Sequence, residues 1–253
     1  MNEEVSDDGF LGGRLRLLQP RRGHRFGGDA ALLVAAARSL MVEGAVVADF
    51  GAGVGPVGLG LAATGAARVA LVEIDPTLAA IASQNAARNG LAEAARSCVC
   101  DVADLCRPGA PQEIAEGAFD LVAANPPFDD ASRFRASPDP AKALAHQDDG
   151  LFAQWAEAAL RVLRPGGAFV AIHRPQALGD ILSGLGRGFG DLRIKPIQPR
   201  ADAPAARLLV AGRKGGRGPL GLLAPFALHG PDGRFTPEAD AAQRGESVVE
   251  LTG

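Results

Sequence analysis

The sequence predicts an α/β fold, a doubly wound and mostly parallel sheet covered by helices on both faces, with an antiparallel strand at one edge. Three observations carry this expectation. Short apolar runs of strand length alternate with amphipathic helical patterns between Ala45 and Ala211. A glycine-rich turn, Gly51-Ala52-Gly53-Val54-Gly55, joins the first run to the helix after it. The last two runs have no helix-length segment between them, so they should pair antiparallel.

The elements follow in order. Residues 1–9 read as a frayed acidic terminus, and Arg14 to Leu18 alternates charged and apolar side chains like a short strand before Pro20 and the Arg21-Arg22-Gly23 turn. Asp29 reads as the N-cap of a helix whose apolar stripe is Leu32, Leu33, Ala36, Ala37 and Leu40. Strands are expected at Ala45–Phe50, Arg68–Val72, Ser97–Val102, Phe119–Ala124, Ala168–His173, Leu192–Ile197 and Arg207–Ala211. Helices are expected from Pro56, from Pro76 to about Asn89, from Gly150 to Leu163 and from Gln176 to about Arg187. The segment from Gly218 to Gly253 has weak periodicity and reads as a loop or a hairpin.

At 253 residues the chain is long enough for one large core with extensions, and 47 % hydrophobic against 22 % charged residues exclude wholesale disorder. No apolar run reaches the 18 or so residues of a membrane span, and the acidic start lacks the regions of a signal peptide. The expected location is cytoplasmic, with no membrane partner. Cys98, Cys100 and Cys106 are too few and too close for a disulfide framework or a zinc site, so they read as small apolar fillers and no metal is expected. Net charge is −3 but segregated: residues 10–28 hold five Arg and no acid, and residues 159–217 hold eleven Lys or Arg against three Asp. Such stretches can face a polyanion or lie in solvent.

The chemistry-bearing residues cluster at strand ends. After Asp49, the turn Gly51 to Gly55 lacks the third glycine of a dinucleotide fingerprint, because Pro56 holds that position. It matches instead the G-x-G-x-G loop that binds S-adenosylmethionine (SAM). Glu73 closes the second strand beside Ile74, placed to accept both ribose hydroxyls. Asp75 reads as the cap of the helix at Pro76. Asp101 is placed to accept from the adenine amino group, with Val102 against its ring. Asn125-Pro126-Pro127-Phe128 follows the fourth strand. The prolines hold the Asn125 amide in one direction. Its side-chain oxygen and the Pro126 carbonyl can accept the two N–H groups of a planar nitrogen and aim its lone pair at a methyl sulfonium. Phe128 would stack on a flat target.

Other residues carry weaker signals. Trp155 shares a helix with Leu151, Phe152 and Leu160 and reads as core, and His173 as a satisfied polar contact near its strand end. His146 has no partner by spacing. Arg133 and Arg135 could meet phosphate or solvent.

With these motifs the chain resembles the class I SAM-dependent methyltransferases that carry N-P-P-[YF]. Among these it is most similar to the bacterial tRNA adenine-N6 methyltransferases, which modify the adenine 3′ of the anticodon in a valine tRNA. The likeness extends to His24-Arg25-Phe26-Gly27-Gly28-Asp29, Leu163 to Gly167, His173-Arg174-Pro175 and Leu228 to Ala239. It implies a seven-stranded Rossmann-like sheet, SAM as methyl donor, tRNA as partner, and Asn125, Pro126 and Phe128 at the target nitrogen. It further implies a cofactor shell of Asp49, Gly51, Ala52, Gly53, Gly55, Glu73, Ile74, Asp101, Val102 and Asn125, with Phe26 and Asp29 near the donor. Residues 1–28 are then an N-terminal extension, 29–217 the methyltransferase domain and 218–253 a C-terminal extension. The same Asn-Pro chemistry would serve a glutamine side chain in a protein such as a release factor, or a small molecule. A module that only binds SAM or RNA is the non-enzymatic alternative.

Overall fold

The structure, a computed structural model, describes residues 5–22, 25–106, 111, 114–127 and 150–252. Phe128, His24, Arg133, Arg135 and His146 lie outside them.

Residues 5–9 of the acidic start form a strand rather than a frayed end. Strand β1 (Val5–Phe10) pairs antiparallel with β2 (Leu15–Pro20). The reason is charge as much as pattern: Asp7 meets Arg16 and Arg88 at 3.2 and 2.8 Å, and Asp8 meets Arg25 at 3.0 Å. Two of the five arginines in the N-terminal basic stretch, Arg16 and Arg25, are therefore paired with carboxylates of β1.

The main sheet has nine strands. Strands β3 (Val46–Phe50), β4 (Arg68–Glu73), β5 (Ala95–Val99), β6 (Phe119–Ala124) and β7 (Leu163–His173) are parallel, in the order β5-β4-β3-β6-β7. Strand β9 (Arg207–Lys214) follows β7 and is antiparallel both to it and to β8 (Phe189–Arg200). The antiparallel pairing of the last two expected strands is present. The antiparallel strand, however, is inserted between β7 and β8 instead of standing at the edge. That edge is taken by β10 (Gly221–Leu222) and β11 (Phe226–His229), both parallel to β8. The sheet thus exceeds the seven strands expected. Strands this short have no readable periodicity, yet they cover exposed ladder groups of β8.

Alternate side chains of each strand enter opposite cores, as the period of two requires. Val47, Leu121, Val170 and Leu209 face one side, with α1 (Gly28–Leu40), α2 (Pro56–Ala62) and α3 (Pro76–Arg88). Ala48, Val122, Phe169 and Val210 face the other, with α4 (Leu151–Val162) and α5 (Leu178–Leu185). Cys98, Cys100 and Cys106 pack half-buried on this second core, as fillers do.

Helix α1 buries every residue from Ala30 to Ala37, more than its one expected stripe. The C-terminal segment supplies the second cover: α6 (Pro237–Gln243) follows, then Val249 and Leu251 are buried beside α1. The Val249 N–H donates to the Ala35 carbonyl at 3.1 Å, and Arg38 donates to the Gly245 carbonyl at 2.9 Å. Leu251→Ala is therefore expected to destabilise the fold by about 2 kcal/mol or more. A urea midpoint equal to that of the parent chain would show that this segment holds nothing together.

Among the described residues no helix is long and apolar enough to cross a membrane, and no group of three or more His, Cys, Asp or Glu could hold a metal ion.

Candidate functional site

The carboxyl ends of β3 to β7 form a crest, the edge at which open α/β sheets bind ligands. The register pairs Phe50 with Ala124 and Glu73 with Val99, so Gly51, Glu73, Val99 and Asn125 stand at four neighbouring strand ends.

The turn after β3 uses left-handed backbone at Gly51, Gly53 and Gly55, with φ of 67°, 56° and 90°. The three glycines serve different needs. A Cβ on Gly51 would lie 2.5 Å from the Trp155 ring, so this glycine admits the indole beneath the turn. A Cβ on Gly55 would meet Leu59 at 3.1 Å. At Gly53 nothing lies within 4 Å of that position, so its bare face opens outward. Ala52 is buried, and its N–H donates to the Val72 carbonyl at 2.9 Å. Trp155 is 7 % exposed and edge-on to Phe50, the core role its spacing suggested.

Glu73 ties this turn to β4. Its carboxylate accepts from the N–H of Gly53 at 2.7 Å and of Asp75 at 2.9 Å, leaving further lone pairs at the crest. Asp75 caps α3 by accepting from the N–H of Thr77, as expected. Ile74 is 43 % exposed beside it. Val99, which the motifs did not single out, is 55 % exposed opposite Glu73; the expected strand ran on to Val102, whereas β5 ends at Val99, so the sequence held no signal for it. Asp101 accepts from the Ala103 N–H at 2.9 Å, so it caps the short turn Val102–Cys106. Val102 itself is buried in the second core, and the exposed apolar surface at this strand end belongs to Val99.

Asp49 lies below the crest, 2 % exposed, and accepts from the Gly58 N–H at 2.8 Å in the first turn of α2. Its reach is toward the helix and away from open space. Burial pushes its carboxyl up to about 7, with the charge of Glu73 adding and the Gly58 hydrogen bond opposing. A carboxyl whose folded value lies above its unfolded one favours the folded state only while protonated. Stability should therefore fall between about pH 4 and pH 7, by about 1.4 kcal/mol per unit at the steepest. Asp49→Asn should flatten that slope in urea titrations at pH 5 and pH 8. A gap between the two proteins that is the same at both pH values would refute it.

Asn125 follows β6, with Pro126 buried and Pro127 exposed. Its Oδ1 is fully buried and accepts no hydrogen bond among the described residues. A buried acceptor left empty costs about 1–3 kcal/mol, a cost that a donor from outside the chain would remove.

The segment Phe26 to Asp29 also reaches the crest, because α1 starts there. Phe26 packs edge-on to Phe10 at 5.3 Å, and its N–H donates to Gln19 Oε1. Asp29 is not the N-cap; Gly27, in extended backbone, takes that position. The carboxylate of Asp29 instead meets Arg207 at 2.7 Å from the first turn. His173 is 2 % exposed and edge-on to Phe152, consistent with a structural role.

The basic last third divides between the two ends of the sheet. Arg174, Arg200 and Arg207 stand at the crest, after β7, at the end of β8 and at the start of β9. Arg164, Arg193, Arg213 and Lys214 lie toward the opposite end, where Arg164 meets Asp120 at 2.7 Å and Lys214 donates to the Leu163 carbonyl.

The residues fit SAM. A glycine face free of protein atoms lies beside a fixed carboxylate, exposed Ile74 and Val99, and an orphaned amide oxygen. Fold and crest together define a Rossmann-like, SAM-dependent methyltransferase. More narrowly, the chain belongs to the methyltransferase small domain family, which it matches over residues 28–194. No curated protein matches it in sequence. Among solved structures, a predicted O-methyltransferase of Agrobacterium tumefaciens is 28 % identical, with TM-score 0.72 over 87 % of this chain and 98 % of that one. A 16S rRNA N2 methyltransferase of Thermus thermophilus, in complex with AdoMet and guanosine, is 22 % identical, with TM-score 0.58 over 83 % of this chain and 50 % of that one. TrmN of Thermus thermophilus is 20 % identical, with TM-score 0.50 over 74 % and 48 %. The two Thermus proteins share the fold.

Proposed function

We propose that this methyltransferase acts on the N6 amino group of an adenine in tRNA, the adenine 3′ of the anticodon in a valine tRNA. The observation that carries the N-methyl chemistry is the buried, unpaired Oδ1 of Asn125 one strand from the open face of the glycine turn. SAM, when bound, supplies an electrophilic methyl group. Asn125 Oδ1 and the Pro126 carbonyl accept the two N–H groups of the target, which draws its lone pair out of the ring and directs it in line. With the donor bound, the N–C bond would form as the donor's S–C bond breaks and the surplus proton would leave to solvent, so these residues need supply no strong base. Phe128 belongs to this motif and would stack on the adenine. Glu73 would take the ribose hydroxyls, and Ile74 and Val99 would flank the adenine of the donor. Asp49 would hold the turn from below, and Asp101, with one oxygen on the Ala103 N–H, would accept from the adenine amino group with the other.

An RNA substrate is supported by Arg174, Arg200 and Arg207 at the crest and by the sequence resemblance over His24 to Asp29 and Leu228 to Ala239. The target base would have to leave its stack, which suits an anticodon-loop nucleotide. The test is to supply labelled SAM with RNA, DNA and protein fractions separately and digest whichever takes up label. N6-methyladenosine in tRNA is the expected product. Label on glutamine, on a small molecule or on an oxygen would refute the assignment.

A further inference from the structure

Beyond β11 the chain makes a tight turn and returns through Phe235, which forms an isolated antiparallel bridge with His229. The turn is held by hydrogen bonds from the Gly230 N–H to the Arg234 carbonyl at 2.9 Å and from the Gly233 N–H to the Gly230 carbonyl at 3.0 Å. His229 is fixed further by Nδ1 at 3.0 Å from the Pro199 carbonyl. On this rigid base the Phe235 ring stacks on the imidazole, with centroids 4.7 Å apart and planes 19° apart. It is nevertheless 45 % exposed. The ring is therefore stacked on one side and still open in part, and it borders a concavity of ≈ 550 Å³ lined by His229, Gly233, Arg234, Phe235, Pro237 and Asp240.

We propose that this turn is a second RNA-binding point, a stacking site for an unpaired nucleobase of the same RNA whose adenine is methylated. The inference rests on the RNA reading above. A third flat ring extends the His229–Phe235 stack, and stacking of bases on aromatic rings is tolerant of sequence. The Arg234 side chain is exposed and has no ion pair among the described residues, which leaves it to a phosphate. Asp232 spends a carboxylate oxygen on the Arg234 N–H at 3.1 Å, and Asp240 on the concavity wall can accept from an exocyclic amino group.

Position supports the polymer. Strands β7, β9 and β8 separate β6 from β11, so the stack lies roughly 19 Å from Asn125 at the usual strand spacing. A single nucleoside does not span that distance. Arg174, Arg207 and Arg200 stand at the crest ends of the three intervening strands. The Arg200–Asp202 pair is long, 3.5 Å, and exposed at 62 % and 83 %, so a phosphate displaces it at little cost. The Arg207–Asp29 pair is tighter and holds α1 to β9.

The test titrates a fluorescein-labelled, unstructured RNA of about twenty nucleotides into the full chain, followed by anisotropy. Phe235→Ala should weaken binding by about 5-fold or more, and Phe235→Trp should restore it. Arg234→Glu should weaken binding and lower the salt slope by about one. In turnover, Phe235→Ala should raise KM for tRNA and leave kcat and SAM affinity alone. Unchanged RNA affinity in both Phe235→Ala and Arg234→Glu overturns the stacking site, even if tRNA is methylated. Label in protein instead of RNA overturns the functional reading, while the titration still decides the stacking site: a wild-type chain that binds no RNA removes it too.

Discussion

Asn125→Ala is expected to lower kcat for methyl transfer by about 10²–10³-fold or more, the loss seen when one preorganised group at a reacting atom is removed. SAM affinity should stay nearly the same, because the amide is aimed at the acceptor nitrogen. The sign of the stability change is a second readout. The Oδ1 of Asn125 is buried without a partner among the described residues, so its removal relieves a desolvation cost and should leave the urea midpoint unchanged or raised. Loss of turnover with undiminished stability would identify a group kept for chemistry. Retained turnover in Asn125→Ala, measured as label transfer under saturating SAM, would reject the proposed mechanism outright.

Gly53→Leu should abolish SAM binding in a protein that still folds. The left-handed backbone at φ 56° makes any side chain there cost about 1–2 kcal/mol. No heavy atom lies within 4 Å of the Cβ position, so the side chain starts in open space. The side chain would occupy the open face that the donor needs. Isothermal calorimetry should show binding in the parent and none in the variant. Saturating SAM, at about a hundred times Kd, should stabilise the parent by about 2.7 kcal/mol and the variant not at all. Gly51→Ala is the informative contrast, because its Cβ would strike Trp155 at 2.5 Å and the loss should fall on folding first. A Gly53→Leu chain that binds SAM as tightly as the parent would move the donor elsewhere.

The alternation of apolar runs and helical patterns was legible because each strand of a covered parallel sheet must be apolar on both faces, as Val47-Ala48 and Val122-Ala123 are. Asp75 was legible as a cap for a local reason: its carboxylate reaches an N–H two residues away. Asp29 looks the same by composition but is not a cap, because Gly27 adopts the extended backbone two residues earlier and Arg207, 178 positions away, takes the carboxylate. Likewise the acidic residues 5–10 have little strand signal alone and become a strand because Arg16, Arg25 and Arg88 meet them. Val99 carried no motif; its exposure is a property of the strand end opposite Glu73.

Neighbours within a turn, or a fixed period, set the strand–helix order, the glycine bend, the Asp75 cap and the Asn-Pro-Pro step after its strand. Packing between distant segments sets which of three similar glycines faces outward and which arginines of one basic stretch reach the crest. It also decides that residues 218–252 cover α1 and extend the sheet. The physical reason is range. Backbone preference and side-chain alternation act between adjacent residues, whereas burial, ion pairing and strand order are settled by segments that meet only once the chain has closed on itself.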